Sequence, residues 1–443
     1  MDTGKENKLG IWMTTSLVVG NMIGAGVFLL PAALAGLGGI GLVGWGVSAV
    51  GALILARVLG RLSTIVRGSI GGPYAYARAG FGPFAGFLVA WGYWNSIWIA
   101  NGAITVAFIG AMGVLFPALE THPLAGVGTG LAALWLLTWV NALGITRSGR
   151  MQVVTTLLKL LPMAAVIFGG LLMFDPQHLL PFNTSGRTGL GAIAASGALT
   201  LYAFLGLESA TVPADKVRNP NKTIPRATLL GTLVATVVYV LSTLAVMGMI
   251  PLAELATSPA PFADAMRLLA GPWGGGLVAG GMAVAAFGAL NGWILIQSQV
   301  GRATARDGLF PAVFSRENKH EVPVFGLVAG SVLSSLLVLM HLSESLVEQF
   351  SFMILLSTLC TLVPYLFSAA AYLRLSGQSG KSRQKAGVWV LGWLALAFSA
   401  WAVYGAGQNA VLWGMVLLLS GVPVYAYMAT RKKEPPPTDK NPG

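Results

Sequence analysis

Twelve stretches of apolar sequence, most of them long enough to cross a lipid bilayer, occupy almost the whole chain. They lie near 10–33, 39–60, 84–115, 124–144, 152–174, 188–212, 227–251, 274–301, 323–341, 348–373, 387–405 and 409–429. A helix needs about 20 apolar residues to span the hydrocarbon core. Inside that core every backbone N–H and C=O must be paired within the protein. Together these constraints predict an all-α polytopic membrane protein with 12 transmembrane helices. Composition excludes the soluble alternatives: 9% of residues are charged, against roughly 25% in soluble domains. A soluble enzyme, a disordered chain and a secreted disulfide scaffold all fall away, the last because Cys360 is the single cysteine. The four histidines (His122, His178, His320 and His341) sit in or near loops at no ligand spacing, so neither a metal nor a cofactor is expected.

The net charge of +12 reads as topology rather than as a nucleic-acid footprint. Basic residues fall on alternate sides of the spans. Lys5 and Lys8 precede the first; Arg57, Arg61, Arg67 and Arg78 follow the second; Arg147 and Arg150 follow the fourth. Lys216, Arg218, Lys222 and Arg226 follow the sixth, and Arg302, Arg306, Arg316 and Lys319 the eighth. Arg374, Lys381, Arg383 and Lys385 follow the tenth, and the tail carries Arg431, Lys432, Lys433 and Lys440. The opposite side shows Arg187 and Arg267. Lys and Arg accumulate in cytoplasmic loops, so the chain is expected in the cytoplasmic (inner) membrane with both termini cytoplasmic. The first apolar stretch is too long and too glycine-broken for a signal-peptide core of about 7–15 residues. The Pro-rich end, 434–443, is expected to be disordered.

Two spans are interrupted. The first contains Gly20, Gly24 and Gly26 within seven residues, and the sixth places Gly206 beside Glu208. Glycines that merely ease helix packing would explain one break. Breaks at matching places in two halves point to a transporter site, where freed N–H and C=O groups meet a substrate. A zwitterionic amino acid offers a group to each half-helix end. Glu208 and Lys159 are the two charges placed inside apolar spans, and each needs a partner, a cavity or its neutral form at that depth. Glu208 is a candidate proton sensor or gate, or else a brace for the broken backbone. Lys159 either bonds carbonyls of the broken first span or snorkels to an interface. Tyr93, Trp94, Trp98, Tyr202, Trp293 and Tyr365 supply aromatic faces that can hold an ammonium or guanidinium.

The segments 20–32 (GNMIGAGVFLLPA), 71–77 (GGPYAYA), 81–87 (FGPFAGF), 207–228 (LESATVPADKVRNPNKTIPRAT) and 305–311 (ARDGLFP) resemble signatures of the amino acid–polyamine–organocation superfamily. The likeness is greatest to its bacterial arginine/agmatine and lysine/cadaverine antiporter family, and runs from about residue 8 to about 430. It implies a five-plus-five inverted repeat with helices 1 and 6 broken and two further C-terminal helices. The corresponding divisions are 1–8 (cytoplasmic N-terminus), 9–186 and 187–374 (the two repeats), 375–430 (helices 11 and 12) and 431–443 (cytoplasmic tail). It also implies alternating access and, as in close relatives, a homodimer. Carried over by position, Met22, Ala25 and Gly26 would hold the substrate's amino and carboxyl ends, joined by backbone at Tyr202 and Leu205. Ser96, Ile97, Asn101, Ile104 and Ser357 would surround its side chain, with Trp293 stacked on it. Tyr93, Glu208 and Tyr365 resemble gate residues. Ala25, Tyr202 and Ile97 stand where the arginine antiporters carry serine, tryptophan and cysteine. Lys159 resembles a lysine of neutral amino-acid exchangers and proton-coupled permeases.

The implied function is an antiporter exchanging an amino acid, cationic by its retained Trp293 and Asn101, for an amine or another amino acid. The alternative is a neutral amino-acid exchanger or proton-coupled symporter, favoured by Lys159 and Ile97. A membrane-embedded enzyme would need paired carboxylates, a metal motif or a nucleophile–base pair, and the spans supply none of these. Substrate and lipid bilayer are the expected partners.

Overall fold

The computed structural model describes residues 8–68, 70–258, 260–340, 346–377, 382–405 and 408–431, with a few helical side chains left aside, that of Ala25 among them. The N-terminal segment before Lys8, His341, Lys381 and the expected disordered end at 434–443 lie outside the described residues.

The described residues are helical, with one isolated backbone bridge between Leu9 and Val217. The principal helices are α1 (Ile11–Met22), α2 (Leu30–Ala35), α3 (Gly41–Ile65), α4 (Pro73–Phe81), α5 (Pro83–Leu115), α6 (Pro123–Ala142), α7 (Ile145–Leu172) and α8 (Gly189–Leu201). They continue with α9 (Pro220–Met249), α10 (Pro261–Ala270), α11 (Pro272–Arg306), α12 (Val324–Met340), α13 (Leu346–Ser376), α14 (Ser382–Gly405), α15 (Gln408–Leu419) and α16 (Val422–Arg431). Among the described residues, 10 segments are long and apolar enough to cross a membrane. The protein is therefore a multi-pass membrane protein. Two regions fall short of that length: α12, with 17 residues, and the first span, which its break divides into α1 and α2.

Both expected interruptions are present. Helix α1 stops at Met22, Gly24 is extended (φ −104°, ψ −168°), and a 3₁₀ turn covers Ala25–Phe28 before α2 begins. In the sixth span α8 ends at Leu201. A 3₁₀ turn spans Tyr202–Phe204, Leu205 is extended, and Gly206 takes φ +107°, a region that penalises a Cβ. A Cβ there would also press on Asn21 and Trp293, both at 3.2 Å. The interruption is longer than a single glycine predicts: the chain continues in 3₁₀ turns, Ser209–Thr211 and Ala214–Lys216, and regains an α-helix only at Pro220.

Such irregular backbone is stable in the membrane only when protein surrounds it. Helix α1 is enclosed by α7, α9 and α11, while α8 lies along α3. Ser48 of α3 donates to the Gly197 carbonyl of α8 and meets the Thr200 hydroxyl, each at 2.8 Å. Past the end of α8, Tyr239 of α9 donates to the Ala203 carbonyl at 2.9 Å. Its ring stacks on Trp45 at 5.1 Å, and Phe204 packs edge-on against both. This aromatic box seals the second break from lipid. A second group, α5 with α11 and α13, forms the opposite wall.

Arg302 differs from its expected place in a loop. Helix α11 runs five residues further than the apolar pattern, and Arg302 is buried in its last turns. Its guanidinium meets Asp215 at 2.9 Å and Glu317 at 2.5 Å, tying the end of the sixth span to the loop after α11. Nearby, Lys216 pairs with Glu321 and Arg78 with Asp307. Several positive charges counted for topology thus also join elements at that end of the molecule.

Candidate functional site

The two breaks face each other across a narrow cavity of about 40 Å³. Nine of the eleven expected binding positions line it. Met22 and Gly26 come from the first break, and Tyr202 and Leu205 from the second. Ser96, Ile97 and Ile104 come from α5, Trp293 from α11 and Ser357 from α13. Asn101 lies just behind that wall, and the Ala25 side chain is outside the described set. Tyr202 leans over Gly26, where a Cβ would stand 2.6 Å from its ring. The missing side chain lets the ring close over the first break.

Six lining residues were not anticipated: Asn21, Gly24, Val27, Ala100, Ala203 and Thr361. Ala100 and Thr361 were within reach of helical periodicity, because they lie one turn from Ile97 and Ile104 and from Ser357. Asn21 braces the two breaks. Its amide donates to Ser209 Oγ at 2.8 Å, and its backbone carbonyl accepts from Trp293 Nε1 at 3.3 Å. Nothing in the sequence spacing brings Asn21 to Ser209.

Among the described residues the lining contains no carboxylate. What it offers a ligand is backbone at two interrupted helices, the Ser96, Ser357 and Thr361 hydroxyls, and two aromatic faces. Carbonyls and ring faces are acceptors for an ammonium group. Freed N–H groups at a half-helix start suit a carboxylate. Trp293→Leu keeps an apolar side chain while removing the ring face. It is expected to weaken binding of a cationic ligand about tenfold, near 1.4 kcal/mol. Equilibrium binding to purified protein checks this, and an unchanged affinity removes the ring from the site.

Beyond Leu205, Glu208 is fully buried and accepts three hydrogen bonds. Tyr93 Oη donates at 2.5 Å, the Gly206 N–H at 3.2 Å, and Tyr365 Oη completes the set. The carboxylate thus joins α5, the second break and α13. Both readings of Glu208, brace and gate, are compatible with this arrangement. Lys159 has a clearer place. Its side chain is fully buried, so it does not snorkel, and Nζ donates to the Gly20 and Ile23 carbonyls at 2.7 and 2.5 Å. Those are acceptors that the first break leaves open.

The sequence profile described as amino acid permease matches residues 9–416. The chain belongs to the amino acid permease family. This permease is 34% identical over 429 residues to the putrescine transporter PotE of Haemophilus influenzae, covering 96% of its own length and 98% of that protein. The PotE of Escherichia coli K12 is 33% identical over 433 residues, with 97% and 98% covered. The cadaverine/lysine antiporter of Escherichia coli K12 is 36% identical over 376 residues, 84% of each chain. The expected superfamily is thereby established for this multi-pass membrane protein.

Proposed function

We propose that the permease exchanges a cationic amino acid for a diamine across the cytoplasmic membrane by alternating access at the cavity between the two breaks. The observation that carries this reading is the near full-length similarity to transporters of putrescine and of cadaverine and lysine. The cavity chemistry supports it. A diamine has no carboxylate, so a site that held each end with an opposite full charge would not release it readily. Carbonyls and the Trp293 and Tyr202 faces bind an ammonium with less depth. Met22, Ala25, Gly26, Tyr202 and Leu205 hold the amino and carboxyl ends, and Ser96, Ile97, Asn101, Ile104, Trp293 and Ser357 surround the chain. Tyr93, Glu208 and Tyr365 form the gate, and Lys159 fixes the first break.

The architecture proposed with this function is a five-plus-five inverted repeat, 9–186 and 187–374, followed by two helices in 375–430. It counts α1 with α2, and α12, as the eleventh and twelfth crossings. Both termini are placed on the cytoplasmic side, a reading that the basic loops support. Trp393 and Trp413, exposed on the last helices, suit contact with lipid or with a second copy.

The test is uptake of radiolabelled lysine and putrescine into proteoliposomes preloaded with single amino acids or amines. Uptake is expected with cadaverine, putrescine, ornithine or lysine inside, and not with empty or leucine-loaded vesicles. Exchange of neutral amino acids instead would overturn the proposal in favour of the neutral exchanger that the buried Lys159 also fits.

A further inference from the structure

Behind the cavity wall two amide side chains form an isolated pair. Asn101 sits on α5 among Ala100, Ile104 and Ile97, all of which line the cavity, and Gln297 lies one turn beyond Trp293 on α11. Each is only 1% exposed. Asn101 Nδ2 donates to Gln297 Oε1 at 3.1 Å. Asn101 Oδ1 and Gln297 Nε2 are buried without a hydrogen-bond partner. Buried polar groups are nearly always satisfied; of the acceptors at this cavity, Asn101 Oδ1 and Asn21 Oδ1 are the ones left without a partner among the described residues. Across from the pair, Gly330 of α12 leaves the space that the Gln297 amide fills, and a side chain there would overlap it.

An asparagine amide can turn either its oxygen or its N–H₂ toward a ligand, and an ammonium can donate only to the oxygen. The bond from Asn101 Nδ2 to Gln297 Oε1 engages the donor and leaves the oxygen free. We propose that Gln297 is a positioning residue for specificity: by holding the Asn101 amide in this orientation, it reserves Asn101 Oδ1 for the terminal ammonium of a lysine or diamine. A ligand without that ammonium leaves the oxygen unpaired, and sites built around a substrate N–H discriminate strongly against analogues lacking it. This inference rests on the cationic-substrate reading above.

The experiment compares equilibrium binding of lysine and norleucine, which differ by the terminal ammonium, to the purified permease. Gln297→Met preserves length but offers Asn101 no amide oxygen. It is expected to lower the lysine-to-norleucine affinity ratio about tenfold, chiefly through lysine. Gln297→Glu keeps an oxygen acceptor for Asn101 Nδ2 and adds a negative charge behind the cavity, so the ratio is expected to stay at or above the wild-type value. Gly330→Ala displaces the Gln297 amide without touching the cavity and should follow Gln297→Met, which gives a second reading should that variant not fold. Equal weakening of both ligands, with the ratio unchanged in Gln297→Met and Gly330→Ala, would mean a purely structural role and overturns this inference alone. A wild-type protein that binds lysine and norleucine equally overturns it together with the proposed function.

Discussion

Lys159→Met is expected to yield a folded permease that exchanges substrate about a hundredfold more slowly, a change near 2.7 kcal/mol. Two effects on stability oppose each other. The substitution frees the Gly20 and Ile23 carbonyls, and an unsatisfied buried acceptor costs about 1–3 kcal/mol. It also removes an amine buried with no carboxylate among its hydrogen-bond partners, and burial of a charged group is itself expensive. Methionine fills most of the volume, so the thermal midpoint should move little. Function has no such compensation. Met22 and Gly26 lie on either side of Ile23 in the chain and line the cavity, so slack in those carbonyls displaces the ligand contacts directly. Counterflow in proteoliposomes alongside thermal unfolding separates the outcomes. Normal exchange in a normally stable variant would show that the break holds its shape without the lysine.

The crossings and both breaks were readable because each has a strong local cause: apolar length for one, clustered glycine for the other. Ser96, Ile97 and Ile104 were placed through the family resemblance alone, and they reach the cavity together. The rest depends on contacts between distant segments. That the sixth span stays in 3₁₀ turns to Lys216 follows from its enclosure, including the Tyr239 bond to Ala203, not from its residues. Arg302 looked like a loop charge because its partners Asp215 and Glu317 belong to other elements. Asn101 and Gln297 meet across 196 residues, and neither residue's neighbours announce the other. The sequence pattern likewise left Lys159 between two places, and only the Gly20 and Ile23 carbonyls distinguish them.

Glu208→Gln is expected to slow exchange about thirtyfold, near 2 kcal/mol, within the range for hydrogen bonds to a charged group, and to flatten its pH dependence. The carboxylate receives three donors on two oxygens. Glutamine has one carbonyl oxygen, and its amide nitrogen is itself a donor. If the oxygen serves Gly206 and Tyr365, the N–H₂ faces the Tyr93 hydroxyl, whose proton then has no acceptor; the reverse orientation strands Tyr365 and the Gly206 N–H. Either way one wall of the clamp between α5 and α13 is released while the side-chain volume is kept. Exchange measured at matched internal and external pH values decides the matter. A variant that is slowed but keeps the wild-type slope would leave Glu208 as a brace only and place the proton-sensitive step elsewhere. A variant with unaltered rate and slope would remove it from the gate.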